Sequence, residues 1–204
     1  PCGPCTELFY DLGPELGEDG GPKFGGENRF VEFWNLVFMQ YEDQEDGTRI
    51  DLPEPCVDTG AGLERILFLK EGKKTIWETS LFMPLIRTSE QLTSATYGID
   101  ENTDVSLRIM AEHARSMAFL ISDGCVPSNE DRGYVLRRIM RRAVRHAYML
   151  GAKNVVMPKL VEHVIEIMGK AYPELKDNSS RILTLVQNEE ERFRETLVRG
   201  LNRL

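Results

Sequence analysis

The spacing of apolar residues in this chain changes once, near Gly60, and that change limits what each half can fold into. Ahead of it, residues 29–41 (RFVEFWNLVFMQY) are dense in aromatic and β-branched types, interrupted by Glu32, Asn35 and Gln40, the make-up of a partly buried strand. Residues 6–11 read as a shorter strand before it. After an acidic turn at 42–47, residues 50–57 return as a third, with Pro53 and Pro55 suiting an edge or a bulge. Between Leu12 and Asn28 lie six glycines and two prolines, which predicts a surface excursion without regular elements.

From Gly60 onward the apolar spacing is three and four residues. Leu63, Ile66 and Leu67 start a helix that ends near Gly72. Further helices are expected over 81–94, 105–122, 134–150, 160–170 and from 179 onward. The 105–122 segment puts Leu107, Met110, Ala111, Ala114, Met117, Ala118 and Ile121 on one face; the last segment carries Leu183, Val186, Phe193, Leu197 and Leu201. The predicted fold class is α+β, with a β-rich module over residues 1–75 and an all-helical one over 76–204.

Charge divides along the same line. Residues 1–100 hold 8 bases and 19 acids, and residues 101–204 hold 17 bases and 14 acids. A chain of net charge −8 does not bind nucleic acid by bulk charge, so any such binding must come from a local patch. Four cysteines (Cys2, Cys5, Cys56, Cys125) give one C-x-x-C pair without the second pair or histidines of a zinc ribbon. Reduced thiols are expected, and with them a cytoplasmic location. No apolar run approaches the roughly 18 residues of a membrane helix. The chain starts and stops within patterned segments, so it is expected to be a piece of something longer.

Two segments carry candidate chemistry. In Asp58-Thr59-Gly60-Ala61-Gly62-Leu63-Glu64-Arg65, a strand end passes through two glycines into a helix. Such glycines let a ligand approach the backbone, the helix start offers unpaired N–H groups, and Arg65 supplies a planar cation suited to phosphate. Asp58, seven places earlier, suits an ammonium and is expected to share one cleft with Arg65. The alternative is an αL turn with Arg65 in a surface salt bridge.

The second segment is the helix from Arg132. At ~100° per residue, Arg137, Arg138, Arg141, Arg142 and Arg145 fall within an arc of about 140°. Arginine without lysine on one face favours bidentate phosphate contact; salt bridges to the acidic first module are the alternative. Upstream, Ser128 and Asp131 form an S-x-x-D capping pattern. Asn129 is then either a cap residue or an amide aimed at a base edge. His113, His146 and His163 lie in no metal or nucleophile pattern and read as packing or surface residues.

Taken together, Gly3-Pro4-Cys5-Thr6-Glu7, residues 32–40 (EFWNLVFMQ), the 58–65 segment and residues 132–146 (RGYVLRRIMRRAVRH) resemble the alanyl-tRNA synthetases in order and spacing. The G-x-G-x-E-R kernel is similar to the third signature motif of class II synthetases at large. The resemblance implies part of the class II antiparallel sheet with the motif 3 helix, followed by a helical tRNA-recognition domain. It implies ATP and Mg²⁺ as reactants and cofactor, alanine as substrate, and the acceptor stem of tRNA(Ala) as partner. By position, Arg65 would grip the ATP γ-phosphate, with Gly60 and Gly62 leaving room for nucleotide and substrate. Asp58 would hold the alanine ammonium; Asn35, Val37 and Gly60 would shape the amino-acid pocket. Glu32 would contact ATP-bound Mg²⁺, or else form a strand salt bridge. Asn129, Asp131 and the arginines, Arg141 and Arg142 foremost, would face the acceptor stem, where the family reads a G·U pair through the wide minor groove.

The chain departs from the family at Ala61, where Met is usual, and at Asp131, an acid beside RNA phosphates. The family's first two signature motifs lie upstream of the matched region, together with the arginines for the ATP α-phosphate and the alanine carboxylate. Its editing domain, where zinc is expected, lies downstream. Residues 1–204 alone are therefore expected not to activate alanine. A non-enzymatic acceptor-stem binding module is the rival reading.

Overall fold

Three strands come from the aromatic-rich half: β1 (Cys5–Asp11), β2 (Phe30–Asp43) and β3 (Arg49–Ala61). They form an antiparallel sheet in the order β1-β2-β3. The computed structural model describes residues 1–18, 20–25 and 28–201, which divide into two units, Pro1–Thr79 and Ser80–Leu204. Both ladders slip once. One shift falls between Leu8 and Phe9 of β1, the other between Met39 and Tyr41 of β2. At the second slip Cys56 faces Met39 while Asp51 faces Tyr41, so Pro53 and Pro55 lie where the ladder asks for no donor. β3 is longer than its predicted 50–57 and runs on through Gly60.

Residues 2–4 also follow β2, with Pro4 O accepting from Phe38 N at 2.9 Å and Cys2 O from Gln40 N at 3.0 Å. A Cβ on Gly3 would fall 1.7 Å from Phe38 O, so only glycine permits this approach. The glycine-rich excursion contains two short elements the sequence did not predict, a 3-10 turn at Pro14–Leu16 and the single-turn α1 (Pro22–Gly25). Its base is tied by Arg29, whose Nε and Nη2 bond both oxygens of Asp11 at 2.7 and 2.8 Å. That fork, with the Gly13 N–H, lowers the Asp11 pKa to about 2.

The first unit continues with α2 (Leu63–Lys70) and a 3-10 turn at Ile76–Glu78. In the second unit follow α3 (Met83–Thr93), α4 (Glu101–Ser122), α5 (Asp131–Met149), α6 (Met157–Met168), the short α7 (Pro173–Asp177) and α8 (Ser179–Leu201). Neither α7 nor the 76–78 turn was foreseen. All seven residues of the predicted α4 stripe are fully buried, and α4 packs against α3, α5, α6, α7 and α8. Asp100 caps α4 by accepting from Thr103 N at 3.0 Å. Among the described residues, Phe68 is the one apolar residue of the first unit that is buried; the remaining apolar core belongs to the helical unit.

On α8 the buried line is Ile182, Val186, Glu189 and Glu190. Of the predicted stripe, only Val186 belongs to it; Leu183, Phe193 and Leu197 are half-buried, and the side chain of Leu201 lies outside the described residues. Glu190 accepts from the N–H groups of Val156 and Met157. It thereby satisfies donors at the start of α6 that the helix cannot pair itself. No described helix is long and apolar enough to cross a membrane.

Candidate functional site

Pairing in the sheet sets two rows on one face. Glu7, Asn35 and Gly60 form one across β1, β2 and β3; Cys5, Val37 and Asp58 form the next. Side chains directly opposite each other share a face, so Asn35, Val37, Asp58 and Gly60 lie in adjacent rows on one face of the sheet. Glu32, three residues from Asn35, would ordinarily point to the other face. The slip at Leu8/Phe9 passes over Phe33 and pairs Glu32 with Phe9, which turns Glu32 onto the face of Asn35. Ala61 pairs with Trp34 on the opposite face, behind the pocket, where Trp34 Nε1 donates to Thr59 Oγ1 at 2.6 Å.

Arg65 lies in the first turn of α2 and folds back on β2. Its Nη1 donates to Glu32 O at 2.5 Å and stands 4.0 Å from Glu32 Oε2. Gly62 makes room for it, because a Cβ there would meet the Cδ, Cγ and Cβ of Arg65 at 3.1–3.3 Å. Neither motif glycine is left-handed: Gly62 caps α2 in an extended conformation at φ −74°, and the positive-φ glycines do not include Gly60. The turn is thus not αL, but the surface salt bridge of that alternative is present, the side chains of Arg65 and Glu32 both being exposed. A Cβ on Gly60 would meet no atom within 4 Å.

Arg65 opens on a hollow of about 630 Å³ lined also by Glu7, Phe9, Lys23, Phe30 and Glu32. Asp58 is not among its lining residues, so the single cleft expected for Arg65 and Asp58 is not found. Asp58 lies in the row of Cys5 and Val37, and the partner that Arg65 finds from α2 is Glu32. Arg65 and Lys23 give this hollow the cations that a polyphosphate takes. Glu32 offers one hard oxygen for a Mg²⁺ held by that phosphate. No cluster of three metal-ligating side chains occurs among the described residues.

In the helical unit, α5 begins against the 126–128 segment. A Cβ on Gly133 would fall 2.4 Å from Val126 O and 2.9 Å from Ser128 Cβ, so glycine is required for the approach. The predicted capping pattern is not found. Ser128 Oγ donates to Glu130 O at 2.7 Å, Glu130 is the residue that precedes the helix, and no side chain caps it. Asp131 is exposed at φ +50°. Asn129 Oδ1 accepts from Arg137 Nη1, which leaves its NH₂ as the outward group.

The arginine face divides in two. Arg137, with 17% of its side chain exposed, and Arg141 both turn to Glu189 Oε1 of α8, at 3.3 and 2.8 Å. The acid these arginines reach therefore belongs to their own unit. Arg137 also donates to Pro127 O at 3.2 Å, and so buttresses the α5 start where a direct RNA contact was expected of it. Arg138, stacked 5.7 Å from the Tyr134 ring, Arg142 and Arg145 are turned outward. With Arg141, His113, Ile139 and Phe193 they line a concavity of about 550 Å³.

His113 bonds Glu112, and this bond, with a second from Ser116, holds the Glu112 carboxyl below its ordinary pKa. His146 Nδ1 lies 3.0 Å from Ser106 Oγ. Burial, then the charges of Arg142, Arg145 and His113, push the His146 pKa below its usual value. His163 Nδ1 lies 2.7 Å from Thr88 Oγ1. Sequence reasoning gave no site role to Glu7, Lys23, Glu189 or Phe193. Glu7 left a signal in its alternation with Cys5 and Phe9 along β1, and Phe193 in the apolar stripe of the last helix.

A family model described as tRNA synthetases class II (A) matches residues 1–204. Among curated proteins, one named alanine–tRNA ligase from Acidithiobacillus ferridurans is 49% identical over 206 residues, covering 100% of this chain and 23% of that protein. A protein of the same name from Dinoroseobacter shibae is 53% identical over 206 residues, with the same coverage. Another, from Fusobacterium nucleatum, is 46% identical over 203 residues, 98% of this chain and 23% of that protein. The chain thus spans under a quarter of the length of these relatives.

Proposed function

The chain belongs to the class II (A) tRNA synthetases, and on that premise we propose that it carries part of the ATP and alanine site, and the acceptor-stem-binding helices, of an alanine–tRNA ligase. The reaction has two steps. The alanine carboxylate attacks the ATP α-phosphorus, giving alanyl-adenylate and pyrophosphate; the alanyl group then passes to a hydroxyl at the tRNA 3′ end, releasing AMP.

The work of this chain is positioning and charge neutralisation, because the sheet site contains Asp, Asn, Gly and Arg and no histidine to act as a base. Asp58 and Asn35 receive the alanine ammonium. Val37 and the bare Gly60 border the space that takes the alanine methyl group. Arg65 neutralises the γ-phosphate, held in place by Glu32 O and by the missing side chain of Gly62. Bound Mg²⁺ would supply further neutralisation of the polyphosphate, with Glu32 as its contact in this chain. Asn129, Asp131 and the outward Arg138, Arg142 and Arg145 face the acceptor stem. Arg141, lining the same concavity as these arginines, faces the stem while bonded to Glu189, and Arg137 stiffens the surface through the same carboxylate.

The observation that carries this reading is Arg65 and Glu32 opening on one hollow, on the sheet face where the Asn35–Gly60 row leaves space for a ligand. The test is alanine-dependent ATP–pyrophosphate exchange by the full-length protein. Arg65→Ala should cost ~10²–10³ in exchange rate, the scale of one lost charge-stabilising contact, with the Kd for tRNA unchanged. A variant that activates alanine normally but loses tRNA would reverse the assignment. Binding of a G·U-bearing stem-loop by a protein with no exchange activity would favour a non-enzymatic acceptor-stem module.

A further inference from the structure

Asn35 stands in the central strand with Glu7 opposite it on β1 and Gly60 opposite it on β3. A primary amide has a donating end and an accepting end, and its neighbours decide which end faces a ligand. Here Asn35 Nδ2 lies 3.2 Å from Glu7 Oε1 and 3.8 Å from Cys5 Sγ. An ionised carboxylate only accepts, so the amide must turn its NH₂ toward β1. Its Oδ1 is then left for the other side, where Gly60 contributes no side chain and a Cβ would meet nothing within 4 Å.

We infer that Glu7 is a positioning residue that fixes the polarity of the Asn35 amide, so that the pocket presents an acceptor to the ammonium of an amino-acid substrate. This rests on the alanine site proposed above and adds to it the residue that sets its hydrogen-bond sense. Val37 and Asp58 occupy the adjacent row, and an outward Oδ1 beside the Asp58 carboxylate gives two acceptors for one cation. With the amide reversed, its NH₂ would oppose the ammonium, donor against donor. Glu7 also lines the hollow that holds Arg65. A purely electrostatic role there would affect ATP, whereas amide orientation affects alanine, and the two are separable.

The experiment uses the full-length protein and alanine-dependent ATP–pyrophosphate exchange, with melting curves to confirm that each variant is folded. Glu7→Gln keeps size and shape but lets the facing amides pair in either sense. It should raise the KM for alanine ~10-fold, the scale of one charge-assisted hydrogen bond, with the KM for ATP within about twofold. The exchanged pair Glu7→Gln with Asn35→Asp should restore the alanine KM to within about threefold. In that double variant the amide on β1 donates to the carboxylate on β2, which still presents an acceptor to the ligand.

An unchanged alanine KM in Glu7→Gln would overturn the inference. So would equal losses for ATP and alanine that the exchanged pair fails to recover, because that is the signature of charge or packing alone. Absence of exchange in the unmutated protein would instead sink the proposed function, and this inference with it. The two failures are therefore distinguishable.

Discussion

The Glu189 carboxylate, only 4% exposed, holds Arg141 through a 2.8 Å bond from Nε to Oε1, and Arg137 Nε lies 3.3 Å from the same oxygen. One buried acid on α8 thus fixes two arginines on α5. Glu189→Gln should cost about 1–3 kcal/mol of stability, the scale of a buried polar group left without its partner, measured as a shift in urea midpoint at constant slope. A midpoint identical to wild type would mean that the two arginines do not depend on this carboxylate.

The same contacts divide the arginine face into inward and outward members, and salt dependence separates them. Arg142→Ala with Arg145→Ala should flatten the dependence of log K on log salt for an acceptor-stem hairpin by about 1–2, given ~0.7–0.9 per phosphate contact. Arg137→Ala should leave that slope unchanged and lower the unfolding midpoint, because its guanidinium serves Glu189, Asn129 and Pro127 O. Equal slope changes in the two proteins would place Arg137 on the RNA face after all.

How far the sequence could be read varied with what each residue depends on. The α4 stripe from Leu107 to Ile121 was fully legible, because burial on a long amphipathic helix follows from spacing alone. Glu32 was legible as a strand carboxylate but not as a neighbour of Asn35, since its facing depends on a slip beside Phe33 that no local pattern records. Glu189 and Glu190 were invisible for a different reason. Charge on a helix is read as solvent-facing, whereas Glu189 is buried by arginines more than forty residues away and Glu190 by the open start of another helix together with Arg194 four residues on. The capping pattern at Ser128 failed because Ser128 Oγ is engaged by the Glu130 backbone and Asp131 stands at φ +50°. That backbone path appears only once the loop and the helix are built together.

His146 provides a pH test. Burial and the charges of Arg142, Arg145 and His113 lower its pKa in the fold below the ordinary 6.5. The unfolded chain therefore takes up the proton first as the pH falls, and protonation favours unfolding. The contribution is fully present above pH 6.5 and is lost as the pH descends through the lowered folded value. The melting temperature should accordingly fall between pH 7.5 and about 5.5, and part of that fall should vanish in His146→Asn. A fall of the same size in His146→Asn would assign the titration to other groups.

Two glycines on the two sides of the sheet strands make opposite predictions from the same substitution. At Gly3 a methyl group would lie 1.7 Å from Phe38 O, a backbone atom fixed in the sheet, so Gly3→Ala must displace the 2–4 segment from β2. The cost should reach the upper end of the ~1–3 kcal/mol seen for overpacking. At Gly60 the same methyl group meets no atom of the protein, and the backbone there is not left-handed. Gly60→Ala should therefore fold with stability unchanged or raised by up to ~1 kcal/mol, since alanine loses less entropy than glycine in a strand. If Gly60 is a glycine for the sake of the substrate, that folded variant should lose at least ~10-fold in kcat/KM for alanine, the scale of one misplaced carbon in a tight pocket. A stable Gly60→Ala protein with full activity toward alanine would show that the space above Gly60 is not where the substrate lies.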